Sequence, residues 1–422
     1  MVPALQPVAQ NSVELSPDRY KRIRATTLSL CADLQPEDTV VQSMPDVSPT
    51  KWHLAHTTWF FEHFVLDPNL PGYMHFDEQF HFLFNSYYYS VGQMHLRGKR
   101  GLLSRPTLQE VVSYRAHVDE AVDRLLAEHS GDEVLTDLVT LGLNHEQQHQ
   151  ELLLTDIKHV LSCNPLSPAA NSHLRKPTST TPPELSFVNG VSGIHRVGAL
   201  GESFCFDNET PRHDALVHEH RIADRLITNS EYREFIRDGG YKDSNLWLSD
   251  GWATINERGW NRPLYWNEDH SSEFTLGGQR DIDDGAPVCH LSFYEADAFA
   301  RWAGARLPTE FEWEVAAHEQ PVDGNLMDCN YLQPIAASDD NNQFFGDVWE
   351  WTSSAYAPYP GFVPLAGSLG EYNGKFMCNQ MTVRGGSCVT AADHLRASYR
   401  SFFYPDARWQ FLGIRLAKDG HN

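Results

Sequence analysis

The chain has 422 residues, more than one hydrophobic core usually organises, so two domains are expected. Hydrophobic residues at 41% and charged residues at 21% are typical of a globular protein and exclude a disordered or fibrous one. The formal net charge of -23 excludes a nucleic-acid partner, because only 33 Lys and Arg stand against 56 Asp and Glu. No apolar run approaches a bilayer's thickness, and residues 1–20 show neither a basic start nor an apolar signal core. A cytoplasmic location without membrane contact is therefore expected.

Long amphipathic helices are predicted from Ser16 to about Leu161, within a first domain of residues 1–163. Segments 108–129 and 133–161 carry apolar residues every three to four positions, and we expect this half to form a helical bundle. Residues 164–186 are rich in Pro, Ser and Thr and have no hydrophobic period, which predicts a linker.

Residues 187–422 show a different pattern of apolar and polar residues. Short apolar pieces alternate with clusters of Gly, Asp and Asn, a pattern that predicts short strands and many loops. Two helices stand out, around 228–239 and 292–304. The predicted fold class is therefore an all-α domain followed by an α+β domain rich in loops. The seven scattered cysteines indicate reduced thiols instead of a disulfide framework.

Two histidine-bearing helices predict a metal site. His145 and His149 lie four residues apart, so both imidazoles project from one helix face, although such a pair also occurs by chance on surface helices. The predicted helix 51–64 adds His53 and His56 among apolar residues, and bundles build metal sites from facing helices. Three imidazoles suit either a zinc hydrolase or ferrous oxygen chemistry. Spacing alone leaves open whether His53 or His56 is the third ligand.

A third cluster lies in the predicted non-helical segment 84–106. Tyr87, Tyr88 and Tyr89 precede Arg97, Lys99 and Arg100, which suggests an active-site loop. A phenol can supply a proton and a guanidinium can hold a carboxylate. The alternative is that the tyrosines are ordinary core aromatics and the arginines form a solvated edge.

These features together resemble the ergothioneine sulfoxide synthase family, in which a DinB-like four-helix bundle precedes a domain similar to the formylglycine-generating enzyme, with a C-type-lectin-like fold. The strings that carry the second likeness are FDNETPRH (206–213), RLPTEFEWEVAAH (306–318), GDVWEWTSS (346–354), VRGGS (383–387) and RWQFLGIRLA (408–417). Formylglycine formation itself is disfavoured, because that reaction needs two cysteines after the GGS turn and this stretch holds only Cys388.

The resemblance implies an Fe(II) cofactor and a set of site residues. By likeness the iron ligands are His56, His145 and His149, which leaves His53 as a supporting histidine. Gln148 resembles the glutamine that binds the substrate imidazole. Tyr87 and Tyr88 resemble the catalytic tyrosines of one branch, whereas other branches carry theirs in the C-terminal half. Arg97 and Arg100 would bind the carboxylate of the sulfur donor.

The implied reaction joins the sulfur of cysteine to the imidazole of hercynine with dioxygen, giving hercynyl cysteine sulfoxide and water. The best-known branch of the family has an Asn-Trp-Asp run, which is replaced here by Ser401, Phe402 and Phe403. The two phenyl rings would attract the trimethylammonium group of hercynine, and loss of the carboxylate favours cysteine over γ-glutamylcysteine. Alternatives on the same scaffold are an ovothiol-type synthase acting on histidine and a selenoneine synthase. A non-catalytic lectin-like binding module and a DinB-type zinc hydrolase or thiol transferase are further alternatives.

Overall fold

The computed structural model describes residues 17–201, 203–338 and 342–420. Residues 1–16, for which the sequence predicts no signal core, lie outside the described residues. The first residues of the predicted helical domain and the last two of the predicted second domain, 421–422, therefore lie outside them as well. The chain divides into two compact units. The first comprises the residues up to Asn171 together with Leu200–Phe204 and Pro364–Tyr372, and the second comprises Ser172–Ala199, Cys205–Val363 and the residues from Asn373.

The first unit is helical, as the periodicity predicts. Its α-helices are α1 (Pro17–Ser29), α2 (Thr50–Phe60), α3 (Asp67–Asn69), α4 (Phe80–Phe84), α5 (Leu108–Glu128) and α6 (Glu133–Ser162). A π-helical turn, Phe61–Leu66, continues α2 into α3. The four longest helices, α1, α2, α5 and α6, bury their apolar faces together. No helix in the described part of the chain is long and apolar enough to cross a bilayer.

Local sequence explains where the long helices begin and how closely they pack. Thr107 and Glu110 form a reciprocal capping box at the start of α5, and the side chain of Asp132 accepts from the Leu135 amide at the start of α6. Gly142 lets α6 approach the end of α2, because a Cβ there would lie 2.7 Å from the Phe61 ring. This close approach lies one turn before the predicted histidine pair.

The second unit contains short strands and helices joined by loops, as predicted. Its strands are β1 (Phe187–Asn189), β2 (Gly193–Val197), β3 (His213–Val217), β4 (His220–Ala223), β5 (Ser272–Thr275), β6 (Gly278–Asp281), β7 (Gly324–Asn325), β8 (Phe345–Gly346), β9 (Trp349–Ala355), β10 (Met381–Arg384), β11 (Ser401–Phe403), β12 (Leu412–Gly413) and β13 (Ala417–Asp419). Its helices are α7 (Asn229–Arg237), α8 (Ser249–Arg258), α9 (Phe293–Trp302) and α10 (Glu310–Ala317). Helices α7 and α9 were predicted, whereas α8 and α10 were not.

The largest sheet of the second unit has the strand order β11-β10-β9-β12. Its strands pair antiparallel except for β9 and β12, which are parallel. A second sheet has the order β1-β4-β13. A core cluster around Trp313, Phe345 and Ile222 joins α10 to these strands. Buried arginines pair with buried glutamates beside it, as in Arg415 with Glu350 at 2.7 Å.

Candidate metal centre

Three histidines meet in the interior of the first unit. The ring of His56, on α2, lies 5.1 Å from that of His145 and 4.7 Å from that of His149, centroid to centroid. The rings of His145 and His149, one turn apart on α6, are 4.6 Å apart. One possible ligand atom from each residue lies within 4.8 Å of those of the other two. The structure thus brings together the three predicted ligands on two facing helices.

The cluster is buried and short of hydrogen-bond partners. His56 is 0%, His145 1% and His149 8% exposed. Among the described residues, Nε2 of His56 and both ring nitrogens of His145 have no hydrogen-bond partner. Buried polar atoms are normally satisfied, so these nitrogens favour a metal ion as the missing partner.

Burial also keeps the imidazoles in the form that a metal needs. Burial lowers the pKa of His145 to about 3. Burial, reinforced by the neighbouring imidazoles, holds the pKa values of His56 and His149 well below the ordinary range. Neutral imidazoles carry a free lone pair, so at neutral pH the cluster fits a divalent transition metal.

A hydrogen bond orients His56. Its Nδ1 lies 2.6 Å from the backbone carbonyl oxygen of Phe84, which accepts and cannot donate. Nδ1 therefore carries the proton, and Nε2 carries the lone pair. The indole of Trp52 stacks on the His56 ring at 4.6 Å and restrains its tilt.

His53 is directed away from the position of a third ligand. Its Nδ1 lies 2.9 Å from Nδ1 of His149, and its Nε2 lies 3.0 Å from Oδ2 of Asp156. Both of its ring nitrogens therefore have protein partners. The geometry favours His56 over His53 as the residue that joins the α6 pair.

The predicted tyrosine loop reaches the cluster through one intervening ring, Trp59, which stacks on His56 at 5.6 Å. Tyr87 and Tyr88 have ring centroids 4.7 Å apart, and Tyr88 packs 5.7 Å from Trp59. Asn85 fixes the loop by accepting from the Tyr88 amide at 3.3 Å. Burial raises the pKa of both Tyr87 and Tyr88, so both phenols keep their protons at neutral pH. Tyr89 is 72% exposed and is the one of the three consecutive tyrosines to which we assign no role in the site.

A third tyrosine, which no motif in the sequence points to, lies at this place. Tyr372, in the segment Pro364–Tyr372, donates its hydroxyl hydrogen to Oε1 of Gln148. Its ring lies 5.6 Å from that of His145 and 6.1 Å from that of Tyr87. No periodicity or spacing singles out Tyr372, because it reaches the cluster from a loop more than 200 residues along the chain.

The carboxylate of Glu371 connects the same segment to the tyrosine loop. It accepts from the amides of Tyr89 and Ser90 at 3.0 and 2.9 Å. It also accepts from the Ser90 hydroxyl at 2.5 Å. Glu371 thus holds its neighbour Tyr372 and the loop of Tyr87 and Tyr88 together.

The two predicted carboxylate-binding arginines have different environments. They lie on a 3₁₀ helix, Arg97–Leu102, within the segment predicted to be non-helical. Arg97 is exposed and donates to the backbone carbonyl of Asp46. Arg100 is 3% exposed, lies 3.3 Å above the Trp52 ring and bonds to Ser48 Oγ at 2.9 Å. Because Trp52 also stacks on the His56 ring, Arg100 is the arginine near the cluster.

The predicted aromatic pair Phe402 and Phe403 belongs to the second unit. Both lie on β11 and are half-buried. Successive strand residues point to opposite faces of a sheet, so the two rings do not face one ligand as a pair. The Phe402 ring stacks on Tyr356 at 4.0 Å.

Two domain families match the chain. Residues 19–153 match the DinB superfamily. Residues 172–332 and 327–420 match the sulfatase-modifying factor enzyme 1-like domain. These matches confirm the predicted fold class of a DinB-like helical domain followed by a domain similar to the formylglycine-generating enzyme.

Two relatives match nearly the whole chain, and a third matches about half of it. A protein named hercynine oxygenase from Mycobacterium tuberculosis is 33% identical, and the match covers 94% of this chain and 97% of that protein. One of the same name from Mycolicibacterium thermoresistibile is also 33% identical, covering 89% and 88%. Ergothioneine biosynthesis protein 1 from Schizosaccharomyces pombe is 30% identical over 51% of this chain and 28% of that protein. The predicted resemblance is confirmed, and the chain belongs to the ergothioneine-biosynthesis family that includes the hercynine oxygenases.

Proposed function

We propose that the protein is a non-heme Fe(II) sulfoxide synthase that joins cysteine to hercynine with dioxygen, giving hercynyl cysteine sulfoxide and water. The observation that carries this proposal is the convergence of His56, His145 and His149 beside three tyrosines and a buried arginine. The names of the full-length relatives support hercynine as the substrate and oxygenation as the reaction class.

The three histidines would hold the iron through neutral imidazoles. Three protein ligands leave open positions for substrates, in contrast to a closed structural site. Ferrous iron, when bound, supplies the redox chemistry by which dioxygen reacts with a thiol and an imidazole. The donor set also fits zinc, so metal analysis and oxygen dependence are needed to distinguish the synthase from a hydrolase.

Gln148 would recognise the imidazole of hercynine. It directly precedes His149 on α6, and its contact with Tyr372 holds its side chain beside the histidine cluster. An amide can both donate to and accept from an imidazole, which suits a ring that presents one nitrogen of each kind.

Arg100 would hold the carboxylate of cysteine. A buried guanidinium is strongly stabilised by a bidentate carboxylate, and its stacking on Trp52 already fixes the plane of the fork. Arg97 remains a proposed second contact, placed at the surface end of the same 3₁₀ helix.

Tyr87, Tyr88 and Tyr372 are the candidate proton donors. Because the pKa values of Tyr87 and Tyr88 are raised, these phenols are protonated before the reaction and can release a proton to reduced oxygen. Phe402 and Phe403 remain proposed as alternative contacts of the trimethylammonium group, since only one of the two rings can face it.

The test is to load the protein with Fe(II) anaerobically, add hercynine and cysteine, admit oxygen and identify products by mass spectrometry. We expect hercynyl cysteine sulfoxide, with oxygen consumed in equal amount. Replacing cysteine by γ-glutamylcysteine, or hercynine by histidine, should lower the yield. Higher yield with histidine would instead indicate ovothiol-type coupling, and a selenium donor tests selenoneine synthesis.

The matched control is His145→Ala, which should lose both iron and product. Formation of cysteine sulfinate alone, or of no product with any thiol, would refute the synthase proposal. Stoichiometric zinc with activity that is indifferent to oxygen would favour the hydrolase or transferase. Absence of any bound metal would favour a binding module.

A further inference from the structure

A buried row of hydrogen bonds runs from Asp156 through His53 to His149. His53 lies on α2, whereas Asp156 and His149 lie on α6. His53 is 2% and Asp156 3% exposed, so the row is closed off from solvent. We propose that His53 and Asp156 are positioning residues for the metal centre, which orient His149 and fix the nitrogen that it presents to the ion. This inference rests on the three-histidine metal site of the proposed function.

The direction of the hydrogen bonds in the row follows from the contacts of Asp156. Oδ2 of Asp156 accepts from the backbone amide of Ser48 at 2.7 Å, and an amide only donates. The same oxygen lies 3.0 Å from Nε2 of His53. A carboxylate accepts, so His53 carries its proton on Nε2, and in the neutral ring Nδ1 then holds the lone pair.

The tautomer of His149 follows from that of His53. Their Nδ1 atoms are 2.9 Å apart, and the lone pair on His53 Nδ1 requires His149 Nδ1 to be the donor. The lone pair of His149 therefore lies on Nε2. This is the arrangement by which carboxylates support metal-binding histidines elsewhere, here extended by one intervening imidazole.

The ligands are supported in different ways, which makes the inference testable. His56 is oriented by the carbonyl of Phe84, whereas the row from Asp156 reaches only His149 among the three. Disrupting the row should therefore weaken metal binding without abolishing it. Partners of this kind typically change metal affinity by about 10- to 100-fold.

The test measures Co(II) binding alone, under argon, by its visible d–d bands and by chelator competition, with Fe(II) competition as a second probe. The variant H53L removes both hydrogen bonds of the row. H53Q keeps an acceptor and a donor, and D156N keeps an oxygen for Ser48 and His53 but removes the charge. The matched control is H394L, which replaces a buried histidine of the second unit that bonds to Tyr399.

We expect H53L to bind Co(II) about 10- to 100-fold more weakly, with shifted d–d bands. H53Q should recover most of the affinity, D156N should lie between, and H394L should match the unaltered protein. Equal affinity and an unchanged spectrum in H53L and D156N would overturn the positioning role while leaving the metal site standing. If circular dichroism shows that H53L is unfolded, the Co(II) affinity and the d–d bands of D156N test the positioning role instead. If the unaltered protein binds neither Co(II) nor Fe(II), the metal site and the row both fail.

Discussion

Its contact with Gln148 distinguishes Tyr372 from the other tyrosines near the histidine cluster. Three tyrosines lie near the histidine cluster, and they share a chemistry but not an environment. Tyr372 donates to Gln148, the neighbour of His149. Tyr88 packs against Trp59. The ring of Tyr87 lies between those of Tyr88 and Tyr372. Its contact with the proposed imidazole-binding residue makes Tyr372 the strongest proton-donor candidate.

We therefore predict that Tyr372→Phe lowers formation of the sulfoxide by about 100-fold or more, the usual contribution of a positioned acid. The variant removes only the hydroxyl, so the fold and the bound iron should be retained. Initial rates with hercynine and cysteine, followed by mass spectrometry, measure the effect. Tyr89→Phe is the matched control, because Tyr89 is 72% exposed and its rate should not change. Equal rates in both variants would exclude Tyr372 and direct attention to Tyr87 and Tyr88.

At the scale of elements, a buried charge network joins the long helices. Glu146 of α6 accepts from Arg24 of α1 and Arg115 of α5, each at 2.8 Å, and from the Thr27 hydroxyl at 2.6 Å. Glu146 and Arg115 are 0% and 1% exposed. The residue next to His145 thus locks α6 to two neighbouring helices and holds the histidine pair in register.

Glu146→Gln should destabilise the protein by roughly 3–5 kcal/mol, because it leaves the buried guanidinium of Arg115 facing a neutral amide and leaves Arg24 with the Asp119 carboxylate alone. Denaturant unfolding followed by circular dichroism measures the loss. Glu120→Gln, at an exposed position of α5, is the control and should change little. A loss as small as that of the control would mean that the network adds no net stability.

The same network predicts acid sensitivity. Burial alone would raise the pKa of Glu146, but the charges of Arg24 and Arg115 outweigh it and lower this pKa from 4.5 to about 2. A lowered carboxyl pKa stabilises the fold fully above the unfolded value and loses that contribution as pH falls toward the folded value. Stability should therefore drop between about pH 4.5 and 2. The drop should be smaller in Glu146→Gln.

The carboxylate of Glu371 gives the segment Pro364–Tyr372 three hydrogen bonds to the tyrosine loop, beside the contact of the Ser90 hydroxyl with that of Ser368 at 2.9 Å. Glu371→Ala removes three acceptor contacts to Tyr89 and Ser90, and hydrogen bonds to a charged acceptor are stronger than those to a neutral one. We expect faster amide hydrogen exchange at 86–90 and 364–372, with unchanged exchange in α6. Unchanged exchange in all three places would show that other contacts hold the segment.

At the scale of the whole molecule, metal binding and folding are linked. The unfolded chain lacks the histidine cluster, so an ion that binds the folded state stabilises it by about 2.7 kcal/mol at a concentration of 100 times Kd. Calorimetry should show a higher melting temperature with Co(II) or Fe(II). His145→Ala should show no such increase, and an equal increase in this variant would place the ion elsewhere.

The linkage also gives the metal-free protein a pH dependence. Burial lowers the pKa of His145 from 6.5 to about 3, so the folded state binds fewer protons than the unfolded state over this range. Metal-free stability should therefore decrease as pH falls from 6.5 toward 3. Melting temperatures across this range measure the effect, which should be smaller in His145→Ala.

The sequence by itself determined the helical half, the half of short strands and loops, the histidine pair of α6 and the family. Helical period and the spacing of His145 and His149 are local properties, and local geometry follows from them. The boundaries at 1–163, 164–186 and 187–422 remain proposals, as do the roles of Arg97, Phe402 and Phe403.

The tertiary structure decided which residues meet. Spacing treats His53 and His56 alike, but α2 packs on α6 so that His56 faces the pair while His53 bonds to His149 and Asp156. Tyr372 and Glu371 reach the cluster from a distant loop. The physical reason is that burial, pKa values and hydrogen-bond direction depend on neighbours far apart in the chain, which only helix packing brings within contact distance.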